Sequence, residues 1–68
     1  MTNKELLDEK IANSGLQPSF IIKTLGISVN SFYRKKNNQQ PFKAAEIYVL
    51  CDILKITDTA EKTKIFYA

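Results

Sequence analysis

The sequence predicts a compact all-α domain of five short helices that spans residues 1–68 as a single unit. Its length of 68 residues allows one domain. Apolar residues recur at intervals of three and four, which is the spacing of helices that bury one face. Glycine, proline, serine and asparagine stand at the breaks between these segments, where helices begin and end. A chain of this size buries only about 60% of the surface that it exposes when unfolded, so its core has to be well packed.

The first helix is predicted from the N-terminal segment. Thr2 and Glu5 have the spacing of a capping box, and Leu7 and Ile11 follow at helical intervals. Gly15 suits the left-handed residue that ends a helix, so the helix should stop just before it.

The second and third helices are separated by a tight turn. Pro18 suits the first turn of a helix, where a missing amide donor costs nothing, and Gly26 closes that helix. Ser28 is a good N-cap for a third helix that extends to about Lys36. Two short helices joined by a glycine turn predict a helix-turn-helix over residues 18–37. The buried stripe of the second helix is predicted to comprise Ile21, Ile22 and Leu25.

The fourth and fifth helices follow a polar loop at residues 37–41. The fourth, predicted at about residues 43–55, is apolar on most sides, which indicates a central position in the core or cover by another subunit. Thr57 or Asp58 can cap the fifth helix, which continues through Lys64.

Charge is unevenly distributed along the chain. No acidic residue occurs between Glu9 and Glu46, a segment with six positive charges, whereas the rest has seven acids against four lysines. The six are Lys10, Lys23, Arg34, Lys35, Lys36 and Lys43. A basic middle between acidic flanks favours the docking of a polyanion against the middle.

Several function classes find no support in the composition. The chain has no histidine and one cysteine, Cys51, which rules out an internal disulfide and the usual zinc ligand sets. There is no glycine-rich phosphate loop and no carboxylate pair with an obvious cleft. We therefore expect no enzymatic activity, no metal and no cofactor, and we expect Cys51 to be a small buried apolar residue. The charged N-terminus and the short apolar runs predict a cytoplasmic protein without a signal peptide or a membrane span.

Short motifs occur in a fixed order along nearly the whole chain. They are Gly15-Leu16, Ile21, Leu25-Gly26-Ile27-Ser28, Phe32-Tyr33-Arg34, Pro41-Phe42, Glu46-Ile47, Leu50-Cys51, Leu54, Ile56-Thr57-Asp58 and Ile65-Phe66. In this order they resemble the small phage Cro and lambda-repressor-like helix-turn-helix regulators, the XRE family, and most closely the short prophage forms of Gram-positive bacteria. The resemblance implies a five-helix lambda-repressor-like fold. It also implies a transcriptional regulator that binds an operator in double-stranded DNA, in the cytoplasm of a bacterial host.

Three features depart from the family pattern. Ile22 stands where alanine is usual, and it should push the second and third helices apart or force local repacking. Lys35 and Lys36 occupy positions near the end of the third helix where an apolar residue is usual. Asn38 replaces the customary glycine after that helix and can still adopt the left-handed conformation. All three bear on the angle at which the third helix docks.

The third helix carries the predicted contacts to bases. At about 100° per residue, one arc of that helix holds Val29, Asn30, Tyr33, Arg34 and Asn37. Phe32 points away from this arc and is predicted to lie in the core. Asn30 has the amide for paired hydrogen bonds to adenine, Arg34 has the fork that suits guanine, and Val29 suits a thymine methyl group. The resemblance assigns base contacts chiefly to the same three positions.

Backbone contacts are predicted around this arc. Ser28, Ser31 and Tyr33 are predicted to contact bases or backbone, Tyr33 either through its hydroxyl or by packing against sugar. Ser19, Lys35, Lys36 and Lys43 are predicted to contact phosphate. The alternative is that the serines are only helix caps and that Lys35 and Lys36 form a solvated surface pair.

We expect a homodimer on DNA, because two half-sites about double the number of bases that the protein contacts. Related repressors place their recognition helices about 34–36 Å apart on a palindromic operator. The candidate interface comprises Val49, Ile53, Ile65, Phe66 and Tyr67. The alternative is that the last three close the core over the fourth helix.

The sequence also supports a second function. The same fold can serve as a protein-binding module, such as an antirepressor that captures a repressor or an antitoxin that masks a toxin. The apolar Val29 and Tyr33 on the outer arc, together with the departures at Ile22 and Lys36, suit a protein partner.

Overall fold

The computed structural model describes all 68 residues, and it contains five α-helices and no β-strand. The helices are α1 (Lys4–Ser14), α2 (Pro18–Leu25), α3 (Val29–Lys36), α4 (Ala44–Ile53) and α5 (Thr59–Phe66). The prediction of a compact all-α domain with five helices is confirmed. None of the helices combines the length and the apolar composition that a transmembrane span requires.

Local signals at the helix ends act largely as predicted. Gly15 and Gly26 adopt left-handed φ values of 75° and 72° and end α1 and α2. The start of α1 differs from the prediction, because the Asn3 side chain, not Thr2, accepts a hydrogen bond from the Leu6 N–H at 3.1 Å. Thr2 is buried and lies outside the helix.

The N-caps of α3 and α5 follow the sequence. The Ser28 hydroxyl oxygen accepts a hydrogen bond from the Ser31 N–H at 3.1 Å. The Asp58 carboxylate accepts one from the Ala60 N–H at 3.0 Å. Both caps satisfy amide donors that have no partner within their helix.

The core contains side chains from every helix and from the loops around α4. Phe32, Phe42 and Phe66 form a row of edge-to-face contacts, with ring centroids 6.3 Å and 5.9 Å apart, that joins α3 to α5 through the α3–α4 loop. α2 packs against α3 and α4, and α1 packs against α5. The buried cluster comprises Leu7, Ile11, Ile21, Ile22, Phe32, Phe42, Ile47, Leu50, Leu54, Ile56, Ile65 and Phe66. Ile22 is therefore accommodated within the core.

The burial pattern changes the predicted dimer interface. Ile65 and Phe66 are 1% and 4% exposed, so these two residues close the core, which is the alternative that the sequence left open, and they offer no surface to a partner. Val49 and Ile53 are half-buried, and Tyr67 is exposed. These last three remain as the candidate interface.

Cys51 is half-buried on α4, and it packs against the core without being enclosed by it. Burial raises the pKa of the Cys51 thiol, and the nearby charge of Lys62 opposes this effect without cancelling it. The thiol is therefore protonated at neutral pH. The prediction that Cys51 is buried is only partly met, because its side chain lies at the edge of the core.

The loop after α3 is joined to the N-terminal segment. Asn38 has a left-handed φ of 65°, as predicted for the residue that replaces glycine. The side-chain Nδ2 of Asn38 donates a hydrogen bond to the Thr2 carbonyl at 2.9 Å, and the side-chain Oδ1 accepts one from the Thr2 N–H at 2.8 Å. The next residue, Asn3, donates its N–H to the Ile65 carbonyl at 2.6 Å. Residues 1–3 thus connect the end of α3 to the C-terminal helix.

Substitutions of Asn38 should separate its conformational role from its hydrogen bonds. Asn38→Gly keeps the left-handed backbone but loses both bonds to Thr2, for an expected loss of about 1–2 kcal/mol. Asn38→Ala loses the bonds and also places a Cβ in the left-handed region, which costs about 1–2 kcal/mol more. Urea unfolding followed by circular dichroism measures both losses. A glycine variant as stable as the wild type would show that the hydrogen bonds contribute nothing.

Candidate nucleic-acid interface

One side of α3 faces solvent and the other is fixed in the core. Phe32 is 1% exposed, whereas Val29 is 57% and Tyr33 is 40% exposed. Exposed residues on that outer side are Val29, Asn30, Tyr33, Arg34 and Asn37, which we call the α3 face. The predicted exposure of this arc is confirmed. Ordered packing on the Phe32 side holds the outer side chains on a rigid support.

The α3 face has a polar edge. Asn30 and Arg34 lie one helical turn apart, and neither side chain makes a hydrogen bond or ion pair within the chain. The guanidinium group of Arg34 thus has all five N–H donors free, and the Asn30 amide can both donate and accept. This edge is equipped to pair with planar polar groups of a ligand.

The other edge of the α3 face is apolar and ordered. Val29 and Tyr33 are four residues apart and therefore adjacent on the helix surface. The Tyr33 ring packs edge-on against Phe32, with centroids 5.4 Å apart, and the Lys36 ammonium lies 4.9 Å from its centroid. These two contacts restrict the ring, so the apolar edge presents a fixed aromatic surface.

Four of the residues predicted to contact the DNA backbone line the same groove. Ser28, Ser31 and Lys43 line one shallow groove between the start of α3 and the start of α4, and the ion pair of Lys35 with Glu46 forms part of its wall. The Ser28 oxygen is engaged as the N-cap, which leaves its hydroxyl proton free to donate. Ser19 is exposed on the first turn of α2 and does not belong to this groove.

Lys35 does not fit its predicted role as a phosphate contact. The residue is 7% exposed, and its ammonium donates hydrogen bonds to both carboxylate oxygens of Glu46 at 2.7 and 2.6 Å. A buried ammonium that is already paired with a carboxylate cannot reach a phosphate without breaking this contact. The prediction for Lys35 is therefore corrected.

Lys36 is also engaged within the chain. Its ammonium donates a hydrogen bond to an Asp8 carboxylate oxygen at 2.7 Å, and its side chain is only 13% exposed. Lys36 therefore ties the last turn of α3 to α1, and the prediction of a phosphate contact is corrected here too. Glu46 and Asp8, which carry these contacts, were not singled out from the sequence as partners of α3.

The Glu46 carboxylate accepts a third hydrogen bond, from the Lys43 N–H at 2.8 Å, and so caps α4. Burial alone would raise the pKa of the Glu46 carboxyl. The hydrogen bonds from Lys35 and the Lys43 N–H, with the charges of both lysines, outweigh burial and hold that pKa below its ordinary value. Glu46 is therefore ionised at neutral pH, with its negative charge inside the fold.

Ion pairs halve the positive charge that the sequence places in the middle of the chain. Lys10 pairs with Glu61 at 3.0 Å, in addition to the pairs made by Lys35 and Lys36. Each acid comes from one of the acidic flanks. Three of the six basic residues remain without an ion pair, and we call them the unpaired cations: Lys23, Arg34 and Lys43.

Comparisons with known proteins give this geometry no relative. A scan against family models, a search of curated proteins and a search of solved structures each find no match. The α3 face has a polar edge and an apolar edge, and the groove beside it has two hydroxyls, the unpaired cation of Lys43 and the ion pair of Lys35 with Glu46.

Proposed function

We propose that this protein is a sequence-specific regulator that binds double-stranded DNA through a lambda-repressor-like fold of the Cro and XRE type. In this proposal α2 and α3 form a helix-turn-helix, and α3 enters the major groove, which is wide enough for an α-helix. One observation carries the proposal. The side chains of Asn30 and Arg34 have no partner within the chain and lie on the exposed side of α3, while Phe32 fixes the other side of α3 in the core.

Each edge of the α3 face matches one kind of base contact. The Arg34 fork matches the two acceptors of guanine, and the Asn30 amide matches the donor and acceptor of adenine. Val29 and the ordered ring of Tyr33 suit thymine methyl groups and sugar. Base pairs differ in the major groove in their hydrogen-bonding groups and in the thymine methyl group. The polar edge of the α3 face matches the first difference, and its apolar edge matches the second.

Phosphate contacts are reassigned in this proposal. Ser28, Ser31 and Lys43 share one groove beside α3, and Ser19 lies at the N-terminus of α2, where amide donors favour an anion. Lys23 adds a cation at the end of α2. Lys35 and Lys36 are left out because their ammonium groups are paired inside the fold.

The regulator would act by occupying an operator and blocking polymerase. Two protomers on a palindrome place their α3 helices about 34–36 Å apart, one turn of DNA. Val49, Ile53 and Tyr67 are the accessible residues of the candidate interface. The proposed location is the cytoplasm of a bacterial host.

Selection from a pool of randomised duplex DNA tests the proposal. We expect the purified protein to enrich a palindrome with half-sites about one turn apart. Arg34→Ala and Asn30→Ala should each relax one position of the half-site, at a cost of about 1–3 kcal/mol in discrimination. Asn13→Ala, an exposed amide on α1, is the matched control and should leave the motif unchanged. If the wild type enriches no sequence at low salt, the proposal fails.

A protein-binding module on the same fold is the second candidate. The apolar edge of the α3 face favours it, and so does Phe20 on α2, which is 50% exposed. The ion pairs of Lys35 and Lys36 also remove charge that DNA binding would use. An antirepressor or an antitoxin would use such a surface to capture a repressor or a toxin.

Salt dependence distinguishes the two candidates. Each phosphate neutralised contributes about −0.9 to the slope of log K against log salt, so the two lysines assigned to phosphate, Lys23 and Lys43, should give a slope of about −2 per protomer. If all six basic residues contacted phosphate, the slope would approach about −5. Fluorescence anisotropy of a labelled duplex across a salt series measures it. A protein partner held by an apolar surface should give a much weaker dependence.

A further inference from the structure

The last turn of α3 carries two adjacent lysines that contact two different helices, α4 and α1. Lys35 donates to Glu46 on α4 at 2.6 and 2.7 Å, and Lys36 donates to Asp8 on α1 at 2.7 Å. Consecutive residues of a helix point about 100° apart, so these two ion pairs hold α3 from different directions. The Phe32 side chain provides a third point of attachment, in the core.

The contact to α4 is part of a larger buried network. The Glu46 carboxylate accepts hydrogen bonds from the Lys35 ammonium and from the Lys43 N–H, so one group fixes both the end of α3 and the start of α4. No buried side-chain nitrogen or oxygen lacks a hydrogen-bond partner. A fully satisfied polar network defines one relative placement of the elements that it joins. It therefore also fixes where the unpaired cation of Lys43 lies relative to α3.

The contact to α1 extends into the α3 face itself. The Lys36 ammonium lies 2.7 Å from the Asp8 carboxylate and 4.9 Å from the centroid of the Tyr33 ring. Asp8 thus holds a cation against the aromatic side chain of the apolar edge. Loss of this ion pair would release both the last turn of α3 and the ring of Tyr33.

We propose that Lys35 and Lys36 are positioning residues, which set the angle of α3 and thereby determine which bases Asn30 and Arg34 reach. This inference rests on the proposed function, in which α3 reads DNA. Base recognition needs side chains placed to within about 0.5 Å, and without the two ion pairs the last turn of α3 loses its side-chain contacts to α4 and α1. The two lysines act by holding α3 in place and do not contact DNA phosphate.

Asp8→Asn tests the proposal, because the two roles of Lys36 predict opposite results. Asp8 is on α1 and its side chain is 44% exposed, so the substitution removes the charge at the more exposed end of the ion pair. We expect the ratio of specific to non-specific affinity to fall by about three- to fivefold, the effect of a partly exposed ion pair. The slope of log K against log salt should not change.

A phosphate contact by Lys36 would give another outcome. Asp8→Asn would then free the ammonium, raise affinity for every duplex and make the salt slope steeper by about 0.9. That result would overturn the proposal. Glu9→Gln, which removes an exposed acid from the next position of α1, is the control for long-range charge.

The charge-swapped variant Asp8→Lys/Lys36→Glu supplies the rescue. It restores an ion pair between α1 and α3 with the signs exchanged, so the specificity ratio should return towards that of the wild type. If Lys36 contacted phosphate, the swap would bind more weakly than Lys36→Met, because a carboxylate would face the DNA backbone. If the specificity ratio of the charge-swapped variant is no higher than that of Lys36→Met, the positioning role is contradicted.

Amide hydrogen exchange of the free protein provides a test that needs no DNA. Exchange at residues 33–36 should be about three- to fivefold faster in Asp8→Asn than in the wild type and should slow again in the charge-swapped variant. If the wild type enriches no DNA sequence, the proposed function fails, and exchange alone still decides whether the ion pair holds α3. Unchanged exchange in Asp8→Asn would overturn the positioning role.

Discussion

Phe32→Ala should leave the protein largely unfolded at room temperature. The side chain is 1% exposed and contacts Phe42 edge-to-face, with ring centroids 6.3 Å apart. Truncation of a buried phenylalanine costs about 3–5 kcal/mol through lost burial and the cavity that remains. A domain of this size seldom has more than about 3–5 kcal/mol of stability, so the expected loss is comparable to its entire free energy of unfolding. The same substitution also removes the support of the α3 face.

Circular dichroism during urea unfolding measures this effect. Tyr33→Ala is the matched control, since Tyr33 is the next residue of the same helix and is 40% exposed. The control should keep a cooperative transition with a loss of about 1–2 kcal/mol, from its contacts with Phe32 and Lys36. Phe32→Leu, which fills part of the space, should lie between the two. A Phe32→Ala variant that unfolds cooperatively at nearly the wild-type urea concentration would contradict the assigned role of this ring in the core.

The boundaries of α2 and α3 were predictable because their causes are local, whereas α4 ends at Ile53 and not near Lys55, and α5 continues past Lys64 to Phe66. Pro18, Gly26 and Ser28 each act within one turn of their own position, and the structure places a helix start, a helix end and an N-cap there. The outward arc of α3 followed from helical periodicity, since Phe32 was the one large apolar residue with no place on it. The capping of α1 was misassigned, because Thr2 and Asn3 have similar capping ability and Thr2 is engaged by Asn38.

The roles of Lys35 and Lys36 were not predictable from composition, since charge counted along a chain ignores where the chain folds back. Their acidic partners lie 11 and 28 residues away in sequence. One signal did exist. Both lysines stand near positions where the resemblance led us to expect an apolar residue, and a charge at a buried position requires a partner. By that reasoning both lysines are expected to be buried and paired with a carboxylate, and not to contact phosphate.

Lys35→Met should destabilise the protein by about 3–5 kcal/mol, because it leaves the ionised Glu46 buried without its cation. The methionine retains most of the length of the lysine side chain, so lost packing contributes little. The double variant Lys35→Met/Glu46→Gln is the matched control. Its glutamine still has an oxygen that can accept the Lys43 N–H, and no charge remains to be compensated, so we expect most of the lost stability to return.

The pH dependence of this loss identifies charge as its cause. The pKa of Glu46 in the folded protein lies below its ordinary value of 4.5, so the stability from its ionised form is fully present above pH 4.5 and disappears as pH falls through the folded value. Without Lys35, burial raises the pKa of Glu46, and protonation then relieves the defect. The difference in unfolding free energy between wild type and Lys35→Met should therefore be largest at neutral pH. It should shrink as the pH falls through the raised pKa of Glu46 in the variant, above 4.5, and then through the lowered pKa of Glu46 in the wild type. The double variant, which has no carboxyl at position 46, should gain stability relative to the wild type as the pH falls below 4.5. A wild-type advantage over Lys35→Met that stays constant from pH 7 to pH 3 would mean that Lys35 acts through its aliphatic chain and that the ion pair does not hold α3.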